Sequence, residues 1–297
     1  MKLAAVDIGS NAIRMQISNV VFYNGKFTIK KLEYVRFPLR LGKDVFEKGH
    51  ITPPLEQKFL KLMQAFQILI ELYDVEAYRI CATSALRESA NGREIVEKIK
   101  QEVGLKIDII DGQEEANLIN KAITKYLDEK AYLHIDVGGG STELTLYKNY
   151  EKIAIESFPM GSVRLMNTVN SPGIWLSIED WLEKHLRRDM YPITAIGTGG
   201  NINKLYELAN KKSKKSKSMT LAEVTQVQDE VSAMSMDERM NNLMLNPDRA
   251  DVIIPAAEIY LHVMRKAKSK KIIVPDVGLK DGMIETLFDE NKDKVVK

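Results

Sequence analysis

Two segments of this chain, far apart in the sequence, share one pattern, and this repeat constrains the fold more than any other feature. The segments AAVDIGSNAIRMQI and LHIDVGGGSTELTL each contain an apolar strand ending in Asp-x-Gly, a turn of small residues, and a second strand. Asp7 and Asp136 occupy equivalent places in the two copies. Solenoid repeats have much shorter periods, of roughly 20–50 residues. The repeat therefore predicts two related domains, with a boundary near residue 126 in the polar segment YLDEKA.

Strand and helix patterns alternate around these segments. The stretches KLAAVDI, AIRMQISNVV and KFTIKKLEYV are β-rich and separated by glycine-containing turns. Helical spacing in LEQKFLKLMQAFQILIELY is followed by the short strands AYRICAT and KIDIID. The second half starts again with strands and then becomes more helical, with Ser177 as the expected start of the helix SIEDWLEKHLRRDM. The later segment RADVIIPAAEIYLHVMRKA is expected to form one apolar helix. This alternation indicates the α/β class.

Composition excludes several classes of function. A net charge of +2 is not the strongly basic balance that nucleic-acid-binding domains show. The single cysteine excludes an internal disulfide framework, and four histidines without paired spacing argue against a zinc site. No stretch approaches the ~18 apolar residues needed to span a membrane. We therefore expect a soluble cytoplasmic protein that binds neither nucleic acid nor a membrane.

The two Asp-Gly turns have the properties of phosphate loops. Consecutive backbone N–H groups in such turns form concavities that bind anions, and glycine lets phosphate oxygens approach the backbone. A carboxylate would repel phosphate, but it can hold a hydrated Mg²⁺ that bridges to it. Either turn alone would more simply be an ordinary hairpin, whereas two equivalent copies favour phosphate binding. The candidate loop residues are Gly9, Ser10 and Asn11 in the first turn, and Gly138, Gly139, Gly140, Ser141 and Thr142 in the second.

Arg87, in the segment ATSALRESAN, follows a strand and precedes a helix. Ligands of α/β proteins usually bind at this end of the sheet, and arginine suits bidentate contact with phosphate. The alternative is a surface arginine paired with Glu88 or Glu94. The neighbouring motifs favour the phosphate contact.

Glu114 and Glu115 open a helix in the segment DGQEEANLI, again after a strand. Adjacent helical residues diverge by about 100°, so both cannot face the same group. One is expected to reach the site as a general base that orients and deprotonates a water molecule. The other would interact favourably with the helix N-terminus. The simpler alternative is that both glutamates have only this role at the helix N-terminus.

Several weaker candidates remain. Glu143 follows the second turn and is expected either at the site or on a solvent face. Arg164, close behind the Gly-Ser step of FPMGSVRL, is a candidate third phosphate contact. Gly199 lies in the turn GTGGN, which enters a helix whose N-terminus suits anions. Residues 204–217 contain six lysines. This composition predicts an exposed loop or, alternatively, a positively charged segment that attracts a polyanion toward the site.

Taken together, the motifs resemble a known family. The duplicated turns resemble those of the actin, sugar-kinase and heat-shock ATPase superfamily. A narrower resemblance, to the exopolyphosphatase and guanosine-pentaphosphate phosphohydrolase (Ppx/GppA) family, covers nearly the whole chain. It is carried, in order, by DIGSNAIRM, RLGKDVFEKGHI, ATSALRESAN, DGQEEANL, IDVGGGSTEL, FPMGSVRL, GTGGNINKL, RADVIIPAAEI and DVGLKDGMI.

The resemblance implies a fold, an activity and a cofactor. The fold would be two ribonuclease-H-like domains flanking an interdomain cleft, residues 1–125 and 126–279, with a C-terminal helix at about 280–297 packing back on the first domain. The activity would be removal of a terminal phosphate from polyphosphate or guanosine pentaphosphate. Mg²⁺ is the implied metal, with Mn²⁺ as a substitute, and a homodimer is plausible from the family.

The resemblance also assigns roles. Glu114 aligns with the catalytic base, and Arg87 with the phosphate-binding arginine. Asp136 and Glu143 align with acidic groups for metal and water, and Asp7 is a third candidate metal ligand that could instead only shape its turn. Ser162 aligns with a position lining the site.

This chain departs from the family pattern in two places, and two rival functions stay open. Longer members continue into helical domains, so processive action on long polyphosphate is in doubt. The segment IIPAAEI replaces a Pro-Gly step, which we expect to affect helix packing. The rivals are a nucleotide-dependent kinase or ATPase, which GTGGNIN favours, and a non-catalytic sensor of phosphorylated nucleotides. The acidic set argues against the sensor, and ATSALRES with EEA argues against the kinase.

Overall fold

The computed structural model describes residues 1–167, 172–209 and 217–294, which form two compact units. One unit contains Met1–Ala122 and the C-terminal segment from Gly278, and the other contains Ile123–Val277. The strands are β1 (Lys2–Ile8), β2 (Ile13–Tyr23), β3 (Lys26–Phe37), β4 (Ala77–Ala82), β5 (Asp108–Ile109), β6 (Ala131–Val137), β7 (Thr142–Lys148), β8 (Glu151–Phe158), β9 (Thr194–Thr198), β10 (Ser218–Thr220) and β11 (Lys271–Ile273). The helices are α1 (Leu41–Lys48), α2 (Pro53–Leu72), α3 (Ser84–Glu88), α4 (Gly92–Val103), α5 (Gly112–Ile123), α6 (Ser162–Asn167), α7 (Pro172–His185), α8 (Gly200–Leu208), α9 (Leu221–Ser232), α10 (Met236–Asn241), α11 (Pro247–Ala250), α12 (Ile253–Lys266) and α13 (Leu279–Asn291).

The first unit contains a five-stranded sheet in the order β3-β2-β1-β4-β5. Strands β1, β2 and β3 pair antiparallel because short turns join them, whereas β4 and β5 run parallel to β1 after helical crossovers. The turn between β2 and β3 is Asn24-Gly25, and both residues have positive φ. This is the backbone that a two-residue hairpin requires.

The second unit repeats this topology. Its six-stranded sheet has the order β10-β11-β9-β6-β7-β8. Strands β6, β7 and β8 pair antiparallel, and β9 runs parallel to β6, as β4 does to β1. The duplicated turns thus belong to duplicated sheets, as the sequence repeat predicts.

The central strands and the longer helices form the two cores. Strand β1 is buried at every position after Lys2, and β6 along its whole length, because both faces of these central strands are covered. In the first unit α2 buries Phe59, Met63, Phe66 and Ile70 at helical spacing. Helix α13 also packs against β1, β2 and β4 of that unit. In the second unit α12 is the most deeply buried helix, with eight buried residues.

Three local predictions are wrong. Ser177 does not begin a helix: it lies inside α7, where its hydroxyl donates to Gly173 O at 2.9 Å. The helix expected over RADVIIPAAEIYLHVMRKA is divided into α11 and α12. Pro255 has no N–H to donate to Asp251 O, and its ring crowds that carbonyl, so the helical hydrogen bonds are interrupted there although the Asp251 backbone is itself helical.

The third error concerns the lysine-rich segment. The predicted loop begins too early, since Lys204 lies on α8, whose apolar residues Ile202 and Leu205 are buried. Residues 210–216 lie outside the described part of the chain. Within the described ranges no helix is both long and apolar enough to cross a membrane.

Candidate active site

The two predicted phosphate loops have the same hydrogen-bond pattern. In the first, Gly9 N donates to Ala12 O at 3.2 Å; in the second, Gly138 N donates to Ser141 O at 3.0 Å. Each bond closes a hairpin turn, between β1 and β2 in the first unit and between β6 and β7 in the second. The sequence repeat therefore extends to the backbone atoms of both turns.

The loops differ in the residue that faces the aspartate across the hairpin. Asp7 lies opposite Arg14, and their side chains form an ion pair of 3.0 Å. In the second loop the equivalent position is Glu143, opposite Asp136. The first loop thus balances its carboxylate with a cation from its own hairpin, whereas the second places two carboxylates together.

The paired carboxylates of the second loop fit a divalent cation. Asp136 is 8% exposed and Glu143 is 1% exposed, and an oxygen of one lies within 4.8 Å of an oxygen of the other. Each also accepts a hydrogen bond, Asp136 Oδ1 from Thr198 Oγ1 at 2.7 Å and Glu143 Oε1 from Ser157 Oγ at 2.8 Å. Carboxylate oxygens are the ligands that Mg²⁺ prefers, and a cation would offset the repulsion between two buried negative charges.

Each loop is also held by a helix that follows the third strand of its sheet. In the first unit Gly42 N, in α1, donates to Ser10 O at 2.8 Å. In the second, Ser162 N and Val163 N of α6 donate to Gly138 O at 3.0 Å and Gly139 O at 2.8 Å. The sequence signal for this second repeat was missed: FPLRLG and FPMG both place Phe-Pro and then glycine after the third strand.

We expect the variant Gly161→Ala to lose both stability and activity. A Cβ on Gly161 would lie 2.4 Å from Gly139 C and from Gly140 N, and neither backbone atom can move away without deforming the loop. Overpacking of this kind costs about 1–3 kcal/mol, and a displacement of about 1 Å at a site can cost about 100-fold in turnover. Thermal unfolding and phosphate release measure the two effects. The matched control is Gly173→Ala on α7, where a Cβ meets no atom within 4 Å. Equal behaviour of the two variants would contradict this packing role.

Arg87 and Glu114 line one cavity in the first unit, at the carboxyl ends of the parallel strands β4 and β5. Its volume is about 520 Å³. Arg87 Nη1 donates to Ile110 O at 2.7 Å, and within the described residues Arg87 forms no ion pair with Glu88 or Glu94. The remaining lining residues are Ser89, Ala90, Arg93, Ile109, Ile110 and Asp111. The cavity therefore has the positive charge of two arginines and the carboxylates of two acids.

The adjacent glutamates of α5 occupy different environments, as their helical geometry predicts. The Glu114 side chain is exposed and forms an ion pair with Arg79 Nη2 at 2.7 Å. Glu115 is 9% exposed. Asp111 Oδ1 accepts from Glu114 N at 2.8 Å and so caps this helix. Glu114 is the one that lines the cavity, and its assignment as the base stays a prediction.

Other predicted residues surround the second loop. Ser162 Oγ donates to Gly138 O at 3.2 Å, and Arg164 Nε donates to Gly140 O at 2.8 Å. Arg164 therefore braces the loop, whereas a direct phosphate contact from it stays a prediction. Gly199 has a φ of 103°, which disfavours any side chain, and a Cβ there would lie 3.3 Å from Asp136 Oδ1.

Sequence reasoning missed two groups behind Asp136. Thr198, at the end of β9, is the strand neighbour of Asp136 and donates to it. His134 is fully buried in β6, and burial lowers the pKa of its imidazole to about 3. The only sequence signal was a histidine within an otherwise apolar strand that leads to the loop.

Comparison with known proteins adds independent findings. A model of the Ppx/GppA phosphatase family matches residues 20–291. The bifunctional 3-dehydroquinate synthase/phosphatase of Fusobacterium nucleatum is 27% identical over 92% of this chain and 44% of its own length. A guanosine-5'-triphosphate,3'-diphosphate pyrophosphatase of Aliivibrio fischeri is 24% identical over 97% of this chain and 59% of its own. The chain thus spans about half the length of these two curated relatives.

Two further comparisons cover nearly all of both partners. Exopolyphosphatase 1 of Mycobacterium leprae is 22% identical over 99% of this chain and 91% of its own length. The crystal structure of the Aquifex aeolicus member of the Ppx/GppA family is 26% identical, with a TM-score of 0.75 over 98% of this chain and 99% of that one. This likeness confirms the predicted fold class, two actin-like α/β domains.

Proposed function

Because this chain belongs to the Ppx/GppA phosphatase family, we propose that it is a Mg²⁺-dependent phosphohydrolase that acts on phosphoric anhydrides. Its substrates would be inorganic polyphosphate, short chains in particular, from which it releases terminal orthophosphate, and guanosine pentaphosphate, which it converts to the tetraphosphate. The observation that carries the proposal is the pair of equivalent loops, of which the second holds two buried carboxylates, Asp136 and Glu143.

The second unit supplies the metal ligands and one phosphate loop. Asp136 and Glu143 would hold Mg²⁺, which, when bound, offsets the negative charge of the phosphate oxygens. Backbone N–H groups of Gly139 to Thr142 would bind those oxygens directly. The bonds from α6 to Gly138 O and Gly139 O hold this loop in place before substrate arrives, which lowers the cost of ordering it.

The first unit supplies the other phosphate loop, that of Gly9 to Asn11, and two cavity residues, Arg87 and Glu114. Arg87 is anchored through one nitrogen to Ile110 O, so its remaining N–H groups can bind phosphate. Charge spreads over the phosphoryl oxygens in the transition state, and placed donors of this kind usually make the largest contribution to the rate. Glu114 would orient the attacking water and accept its proton.

Both substrate classes have support among the relatives. One relative is named an exopolyphosphatase, and another is named a pyrophosphatase of guanosine-5'-triphosphate,3'-diphosphate. Both substrates end in phosphoric anhydrides, which the same loops, metal and arginine would bind.

Phosphate release is expected from short polyphosphate and guanosine pentaphosphate, only with Mg²⁺, and with little from ATP. The measurement is orthophosphate release from short polyphosphate, long polyphosphate, guanosine pentaphosphate and ATP, each with Mg²⁺ and with a chelator. Phosphate transfer from ATP to an acceptor, without release from polyphosphate, would favour the kinase. Tight binding of the guanosine derivative without turnover would favour the sensor.

A further inference from the structure

His134 lies on β6 two residues before Asp136, so the two side chains point to the same face of the strand. It is 0% exposed, as is its neighbour across the hairpin, Thr145. Burial of a histidine in an apolar sheet is costly unless its nitrogens are bonded. The hydrogen-bond partners of its ring nitrogens therefore indicate what His134 does.

One ring nitrogen of His134 is bonded to the threonine that touches Asp136. His134 Nε2 lies 2.8 Å from Thr198 Oγ1, and Thr198 Oγ1 lies 2.7 Å from Asp136 Oδ1. Among the described residues, His134 Nδ1 has no hydrogen-bond partner. The three side chains thus form one line that ends at the carboxylate.

The positions of the hydrogens follow from the chemistry of the groups. An ionised carboxylate only accepts hydrogen bonds, so the single hydrogen of Thr198 Oγ1 must point to Asp136 Oδ1. The threonine oxygen then has only lone pairs left for the imidazole. His134 Nε2 therefore carries the ring hydrogen and donates it, which leaves the buried Nδ1 unprotonated.

The threonine itself is held from the other side. The Tyr260 hydroxyl donates to Thr198 O, and Val137 N donates to that hydroxyl at 3.3 Å. Burial and the nearby Asp136 carboxylate raise the pKa of the Tyr260 phenol well above its ordinary value, so the phenol stays protonated and remains a donor. The backbone of Thr198 is fixed by Tyr260, and its hydroxyl by His134.

We propose that His134 is a positioning residue, which holds the Thr198 hydroxyl so that its hydrogen is committed to Asp136 Oδ1 and the carboxylate is oriented for the cation. This inference rests on the proposed metal role of Asp136. An apolar residue would fill the position of His134 without burying an unbonded nitrogen. The histidine therefore lowers stability at this position, but it orients the Asp136 carboxylate, as the hydrogen-bond partners of metal ligands do.

The test measures Mn²⁺ binding to the metal-free protein without substrate, by isothermal titration and by the electron paramagnetic resonance of free Mn²⁺. We expect His134→Leu to weaken binding by about 10–100-fold, with a thermal unfolding midpoint no lower than that of the wild type. His134→Gln, whose side-chain amide can donate to the same threonine oxygen, should restore most of the affinity. Thr198→Val should match His134→Leu.

The double variant makes the test specific to this line of groups. If His134 acts through Thr198, adding His134→Leu to the Thr198→Val variant should not weaken Mn²⁺ binding any further. The matched control is Thr145→Val, the same change at an equally buried residue of β7, which should bind Mn²⁺ like the wild type. Unaltered binding by His134→Leu, or additive losses in the double variant, would overturn the inference alone. Wild-type protein that binds no Mn²⁺ would overturn the proposed metal site together with it.

Discussion

Replacement of Glu114 by Gln is expected to lower kcat by roughly 10²- to 10⁴-fold, the contribution of a general base. Glutamine keeps the shape of the side chain but cannot accept a proton from water. The change also removes an ion pair with Arg79, in which the Glu114 side chain is 46% exposed. It removes, in addition, a negative charge at a helix N-terminus. Such interactions are worth at most about 1 kcal/mol each. The fold and KM should therefore be preserved, as circular dichroism and steady-state kinetics would check.

The comparison with Glu115→Gln locates the base. It makes the same change one residue along α5, at a buried carboxylate. If Glu114 is the base, its variant should be the slower of the two by at least about tenfold. A larger kcat loss in Glu115→Gln would move the assignment to Glu115, and near-normal turnover of both would remove a glutamate base from the mechanism.

Replacement of Asp136 by Asn is expected to lower kcat/KM by about 10²–10³-fold, the usual cost of removing one group that stabilises developing charge. Asparagine Oδ1 can still accept from Thr198, so the fold should survive. The repulsion between two carboxylates within 4.8 Å of each other disappears. Metal-free Asp136→Asn should therefore unfold at the same temperature as the wild type or higher.

Metal addition separates charge loss from misfolding. A bound ion stabilises the folded state by about 2.7 kcal/mol at 100 times its Kd, so Mg²⁺ should raise the unfolding temperature of the wild type and not of Asp136→Asn. Asp237→Asn, at an exposed position of α10, controls for the substitution itself. A Mg²⁺ response in Asp136→Asn equal to that of the wild type would remove Asp136 from the metal site.

Asp7→Asn addresses the question that the first loop leaves open. Asp7 was predicted as a third metal ligand or as a residue that shapes its turn, and its ion pair with Arg14 favours the second role. If Mg²⁺ raises the unfolding temperature of this variant as much as that of the wild type, Asp7 only shapes the turn. A loss as large as that of Asp136→Asn would make it a ligand.

Strand existence and turn chemistry were predictable because both depend on neighbouring residues. An apolar run, Asp-x-Gly and small residues specify a strand that ends in a tight turn, whatever the rest of the chain does. Helix starts were less predictable: Ser177 carries a capping pattern, yet α7 begins earlier, at Pro172. There the local signal was overridden by a proline suited to the first helical turn.

The face of the strand on which Glu143 lies could not be predicted, because a strand alone does not show which of its two faces is buried. Antiparallel register with β6 places Glu143 opposite Asp136. The same register places Arg14 opposite Asp7. The two loops therefore have opposite electrostatic character, although their turns are alike.

By itself, the sequence determined that this chain has two related α/β halves, each with a loop suited to phosphate, since these features follow from local patterns and their repetition. Tertiary structure alone decided which groups act on those loops. Gly161 against the second loop, Arg87 beside Glu114, and His134 behind Thr198 and Asp136 are contacts between different elements. Such contacts depend on strand order, register and close packing, which no local pattern of residues contains.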